Sequence, residues 1–159
     1  MTVADEFIAR FGGIYEHSAW VAEAVADDAV GQDLAEIAAL MAECVDNASE
    51  ELQLKLIRAH PDLAGKAQIA GELTADSTDE QASAGLDQCS AEEYAAFQSL
   101  NDRYKEKFGF PFVMAVRDSS RAEILAAFQA RLDNDQQAEF ETALQEIHKI
   151  ARLRLEAMQ

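Results

Sequence analysis

The chain repeats its apolar residues at three- and four-residue steps, the period of a helix with one buried face. Leu34, Ile37, Ala38, Met41, Cys44 and Val45 share such a face between Asp33 and Val45. Tyr94, Phe97, Leu100, Tyr104 and Phe108 form a second stripe. Gly109 ends it, because glycine takes the left-handed conformation that closes many helices. Ile124, Leu125, Phe128 and Leu132 mark another helix, and Phe140, Leu144, Ile147, Ala151, Leu155 and Met158 a long terminal one. Start signals agree with these faces. Ser90-Ala-Glu-Glu93 and Ser120-Arg-Ala-Glu123 read as capping boxes, and Thr2-Val-Ala-Asp5 as a weaker one. Gly12-Gly13 closes a short first helix, Ser18 caps the next with Trp20, Val21 and Val25, and Ser49 opens one carrying Leu52, Leu56 and Ile57. The pattern predicts about eight helices, no alternating strand and no internal repeat. The expected fold is all-α, a single-domain bundle over residues 1–159 with irregular site loops.

Three segments resist the helical reading. Arg58-Ala-His-Pro-Asp-Leu-Ala-Gly65 breaks a helix, since the residue before a proline is pushed out of the α region. Gly71 to Thr78 is a polar connection ending in Asp76-Ser77. Phe108-Gly-Phe-Pro-Phe-Val-Met-Ala-Val116 is apolar but carries Gly and Pro, which predicts an extended, buried loop. A buried loop leaves backbone N–H and C=O groups that need partners, and a polar ligand supplies them. All three are candidate site segments.

Composition narrows the function classes. The 159 residues include 30 Asp+Glu against 13 Lys+Arg, a formal net charge of −17, with 49% hydrophobic residues. The apolar fraction is ample for one core, so wholesale disorder is not expected. So acidic a surface repels phosphate backbones and anionic lipid, which argues against nucleic acid and membrane partners. Cys44 and Cys89 lie far apart with no ligand spacing, and the three histidines show neither HxH nor HExxH, so no structural or catalytic metal is expected. Without a signal-peptide pattern, a long apolar run or a peroxisomal address, the expected location is the cytoplasm.

Candidate chemistry follows from the irregular segments. His60 stands before Pro61, off any regular helix face; it is either a surface or capping histidine or a general acid or base held by a rigid turn. Ser77-Thr-Asp-Glu80 reads as another capping box, which accounts for Ser77 and Glu80 and also leaves Glu80 and Gln81 on a first turn facing a ligand. Arg154 falls inside the apolar stripe of the terminal helix, whereas Lys149 and Arg152 point away from it. Burial of a guanidinium demands a carboxylate partner or a bound anion, and both readings stay open. No Ser-His-Asp motif, P-loop or dinucleotide fingerprint occurs.

Several motifs in order carry a resemblance. They are Phe11-Gly-Gly-Ile-Tyr-Glu-His-Ser-Ala-Trp-Val-Ala22, His60-Pro-Asp-Leu-Ala-Gly65, Ser83-Ala-Gly-Leu-Asp87, Phe97…Leu100-Asn101…Tyr104, Phe108-Gly-Phe-Pro-Phe-Val113 and Ile147…Ile150…Arg154-Leu155. Together, and with Ser-x-x-Glu-Gln between them, they resemble the 2-oxo-4-hydroxy-4-carboxy-5-ureidoimidazoline (OHCU) decarboxylases of purine catabolism over nearly the whole chain. The resemblance implies an all-helical, cofactor-free homodimer that converts OHCU into (S)-allantoin and carbon dioxide. It places the catalytic pair on His60 and Glu80. It places substrate contacts on Pro61, on Ser77, Thr78, Asp79, Glu80 and Gln81, on Phe112, Val113, Met114, Ala115 and Val116, and on Arg154. Ala19 and Cys89 depart from the family pattern, at positions where proline and leucine are common. Two rival readings stand beside it: a non-catalytic helical ligand-binding or partner module of purine catabolism, and a different enzyme on the same scaffold.

Overall fold

The computed structural model describes residues 1–65 and 70–158. Among them stand eight α-helices: α1 (Val3–Phe11), α2 (Trp20–Ala29), α3 (Leu34–Asp46), α4 (Glu50–Arg58), α5 (Ala75–Ser83), α6 (Ala91–Phe108), α7 (Arg121–Arg131) and α8 (Gln136–Glu156). One 3-10 turn, Leu86–Gln88, lies between α5 and α6. The described residues contain no strand, so the fold is all-α, as the periodicity predicts.

Local chemistry explains most boundaries. Complete capping boxes open α1 at Thr2, α6 at Ser90 and α7 at Ser120, and single side-chain caps open α3 at Asp33 and α4 at Ser49. Gly109 closes α6 with φ 80°, a conformation that strains any residue bearing a Cβ. Two caps differ from expectation. Ala19, not Ser18, precedes α2 without a side-chain cap, because the Ser18 hydroxyl donates instead to the Glu16 carbonyl at 2.8 Å. Likewise Thr74, not Ser77, caps α5, its hydroxyl accepting from the Ser77 N–H at 3.2 Å. The helix therefore begins inside the expected polar connection 71–78, and Glu80 and Gln81 sit on its second turn. The earlier start is favoured because it puts Ser77 and Gln81, four residues apart, on one buried face.

The chain forms two compact units, Met1–His60 with Ile147–Gln159, and Pro61–Glu146. In the first, α1 packs on α2 and α2 on α3. Its core includes Phe7, Phe11, Val21, Val25, Ile37, Met41, Val45, Leu56, Ile57, Ile147 and Leu155. In the second, the buried Tyr104 ring is an aromatic hub, with Phe108, Phe112 and Phe128 at centroid distances of 4.4, 5.4 and 5.8 Å. The loop after Gly109 has no regular structure up to α7, yet Phe110, Phe112, Val113 and Val116 are buried, as expected for a packed extended segment.

Candidate active site

Within the first unit, α4 ends at Arg58, and the His60 N–H still bonds the Ile57 carbonyl at 3.1 Å. This last turn draws the imidazole inside. His60 is buried, not the surface or capping histidine that its place before Pro61 also allows. Its Nε2 is shielded from solvent and has no hydrogen-bond partner among the described residues. Burial pushes its pKa from 6.5 down to about 4; the Glu16 carboxylate opposes this, while Arg154 and His17 reinforce it. Burial therefore favours the neutral imidazole at pH 7.

Arg154 is buried, as its place in the stripe predicts, and Lys149 and Arg152 are exposed. The Arg154 Nη2 lies 3.6 Å from the Glu16 carboxylate, itself only 2% exposed. Nη1 donates to the carbonyls of Gly13 and Ile14 at 3.4 and 3.3 Å. The structural ion pair thus exists. The Gly13–Glu16 contacts hold the guanidinium in place. Nearby in the same unit, Tyr15 bonds His148 Nδ1 at 2.8 Å and Asp46 bonds His148 Nε2 at 2.8 Å, so both ring nitrogens of His148 are occupied.

In the second unit, the residues after His60 in the chain are held by side chains that periodicity did not single out. The Gln81 amide accepts from the Ala64 N–H at 2.9 Å and donates to the Asp62 carbonyl at 3.2 Å. Gln98 donates to the Ala64 carbonyl at 2.7 Å, and Asn101 to the Leu63 carbonyl at 3.0 Å. Lys105 adds an ion pair to the Asp62 carboxylate at 2.7 Å. These bonds secure a turn in which Ala64 takes φ 51°, the left-handed region. Pro61 is half-buried at its start. In the sequence Gln81 and Asn101 stand out through the motifs, and Gln98 joins Asn101 three residues apart on one face of α6.

Gln81 therefore acts first as a strut of this turn. Along α5, Ser77 is buried, Thr78 and Asp79 are exposed, and Glu80 is half-buried. The extended segment, also in the second unit, is tied at two points. Val113 accepts from Arg131 Nη1 at 2.7 Å, and the Ala115 N–H donates to the Glu146 carboxylate at 3.1 Å. Between them, Met114 makes no hydrogen bond among the described residues through either its N–H or its C=O. That leaves one donor and one acceptor on a half-buried residue, as the loop's composition led one to expect.

Elsewhere in the first unit, a cavity of about 590 Å³ is lined by α1 and the α2–α3 turn, including Phe7, Arg10, Gly31 and Leu34; no candidate residue borders it. The described residues contain no cluster of three or more His, Cys, Asp or Glu able to hold a metal, and no helix long and apolar enough to cross a membrane.

Residues 2–156 match the family model described as OHCU decarboxylase. A 2-oxo-4-hydroxy-4-carboxy-5-ureidoimidazoline decarboxylase of Haloferax volcanii is 48% identical over 151 residues, 95% of this chain and 88% of that protein. One of the same name from Halalkalicoccus jeotgali is 44% identical, over 97% of this chain and 85% of its own length. Among solved structures, an (S)-allantoin synthase superposes with a TM-score of 0.77 at 34% identity, covering 97% of this chain and 49% of that one. By these matches the chain belongs to the OHCU decarboxylase family.

Proposed function

We propose that this chain decarboxylates OHCU to (S)-allantoin and carbon dioxide, with His60 and Glu80 as its catalytic groups. Decarboxylation in urate breakdown comes with the family, and the residue roles are our assignment. The observation that carries it is the buried, neutral His60, whose Nε2 has no partner among the described residues. A solvent-shielded polar nitrogen costs about 1–3 kcal/mol when left unpaired, so a ligand that meets it recovers that penalty.

Loss of carbon dioxide leaves an electron pair on C4 of the substrate. The adjacent ring C=N accepts it, so C4 and C5 become joined by a double bond and the ring nitrogen carries the charge. That nitrogen takes up a proton, the C4 hydroxyl gives up its own as C5 gains one, and the C4 carbonyl of allantoin forms, with one proton drawn from solvent overall. The sink lies in the substrate, so the protein has to orient it and manage three proton transfers. His60 takes the C4 hydroxyl proton. Glu80 holds the ureido and ring N–H groups, with Ser77, Thr78, Asp79 and Gln81 as further contacts from α5. The main chain of Phe112, Val113, Met114, Ala115 and Val116 meets the ring edge, Pro61 stiffens the turn, and Arg154 meets the substrate carboxylate. Protonation of C5 from one face gives the (S) product. The reading includes a cofactor-free homodimer, on the family resemblance alone, and a cytoplasmic location, on the sequence pattern alone.

The test generates OHCU in situ from urate and follows allantoin by chiral detection. The expected result is faster, one-handed product, with His60→Ala slower by at least about 10²-fold. Racemic product at the spontaneous rate would favour a non-catalytic module instead.

A further inference from the structure

We propose that Arg131 is a positioning residue for this reaction, holding the Phe112–Val113 backbone in the conformation that meets substrate. This rests on the assignment of the Phe112–Val116 segment to substrate contact. Arg131 is the last residue of α7, with a side chain 13% exposed. One guanidinium grips two successive residues of the segment. Its Nη1 donates to the Val113 carbonyl at 2.7 Å, and its central carbon lies 4.3 Å from the centroid of the Phe112 ring. Phe128 stacks on the same ring at 3.9 Å and 10°.

The guanidinium is itself fixed. Its Nε donates to Glu139 Oε1 at 2.8 Å, and Glu139 is wholly buried. The same carboxylate accepts from the Tyr104 hydroxyl at 2.5 Å and the Asn134 amide at 2.9 Å. Three donors on one buried carboxylate leave it no freedom to swing, so the position of α8's first turns passes through Arg131 to the segment. A planar fork does three things at once here: it pairs with Glu139, bonds a carbonyl and covers a ring. A lysine ammonium keeps the charge but cannot do all three. The buried Nη2, without a partner in the described residues, is left over from that geometry. A structural pair would need only Glu139; the carbonyl and ring contacts are what tie it to the segment.

The chain supplies a matched control at the other end of α7. Arg121 uses the same atoms in the same way, Nε to the Glu93 carboxylate at 2.9 Å and Nη1 to the Gly85 carbonyl at 2.9 Å. Neither partner belongs to the Phe112–Val116 segment. The experiment compares Arg131→Lys and Arg121→Lys in the full chain, with Glu139→Gln as a milder variant should Arg131→Lys fail to fold. Three readouts are taken: kcat/KM on OHCU, the enantiomeric excess of allantoin where catalysed flux exceeds spontaneous decay, and amide exchange at Val113 to Val116. Arg131→Lys or Glu139→Gln is expected to lower kcat/KM at least about tenfold, erode the enantiomeric excess and speed exchange in the segment, whereas Arg121→Lys leaves all three within about threefold. A folded Arg131→Lys or Glu139→Gln with unchanged turnover, handedness and exchange overturns the inference, as does an equal loss in Arg121→Lys. A wild-type chain without turnover overturns the decarboxylase reading and the catalytic role together, and the exchange readout still shows whether Arg131 orders the segment.

Discussion

Glu16 and Arg154 face each other at 3.6 Å with both side chains nearly excluded from solvent. Neither charge has water to fall back on, so each depends on the other and on nearby main-chain groups. Removing one partner strands the other, a loss of about 3–5 kcal/mol for a buried pair. Glu16→Ala and Arg154→Ala should therefore each lower the midpoint of urea unfolding substantially. The double variant should lose much less than the sum of the two, as a double-mutant cycle measures. Strict additivity would show that the two charges do not stabilise one another.

His60 makes stability depend on pH in a defined window. Its folded pKa of about 4 lies below the ordinary 6.5, so the unfolded chain binds the extra proton first. The contribution is complete above about pH 6.5 and is lost as pH falls toward 4. At about 1.36 kcal/mol per pH unit, the displacement is worth roughly 3 kcal/mol. Unfolding of the wild type and His60→Gln, compared between pH 7.5 and 4, should show a flatter dependence in the variant. The acid limb of kcat/KM should likewise fall well below pH 6.5. A limb centred at 6.5 would mean that His60 titrates like an exposed imidazole.

Ala64 offers a sharper probe of the turn after His60. Its φ of 51° strains a residue with a Cβ by roughly 1–2 kcal/mol. Ala64→Gly relieves that strain while adding freedom to the unfolded chain, so the expected change in stability is within about 1 kcal/mol of zero. Ala64→Val, with a branched Cβ in the same conformation and a buried setting, should destabilise by more than about 2 kcal/mol. Thermal unfolding of the two variants reads this directly. A tolerated valine would mean that the turn opens without penalty.

These cases show which parts of the fold were legible in the amino-acid order. The burial of Arg154 followed from helical periodicity alone, because a stripe position needs only neighbours three and four residues away. The caps at Thr2, Ser90 and Ser120 were equally local. Between Thr74 and Ser77 the chain carries two overlapping start signals, and burial of Ser77 and Gln81 decided for the earlier one. The burial of His60 could not be read locally, since the groups around it, Glu16 and Arg154, are far off in sequence. The bonds from Gln81, Gln98 and Asn101 to the Asp62–Ala64 carbonyls and amide cross 17 to 38 residues, and no period announces a side chain that ends on a main-chain atom. The clamp by Arg131 was invisible for the same reason.

The net charge of −17 predicts a salt response. Like charges crowd one another more in the folded state than in the unfolded chain, and at about 0.15 M salt the screening length is already only about 8 Å. Raising sodium chloride from low to moderate concentration should raise the thermal midpoint by a few degrees. It should leave kcat/KM for an anionic substrate unchanged or improved, since screening weakens long-range repulsion. A steep loss of kcat/KM over the same range would point to attractive steering by a local basic patch instead.

Met114 carries an N–H and a C=O that no described residue pairs, on the main chain, where alanine scanning is blind. Any ligand that reads this peptide edge would be indifferent to the side chain, so Met114→Ala or Met114→Leu could pass as neutral at a fully engaged position. Backbone chemistry reports what such scanning cannot. A proline at 114 removes the donor, and an ester in place of the amide removes it with less change of shape. Tolerance of side-chain change at residue 114 is then the signature of recognition by the peptide edge, and it should not be mistaken for a vacant role.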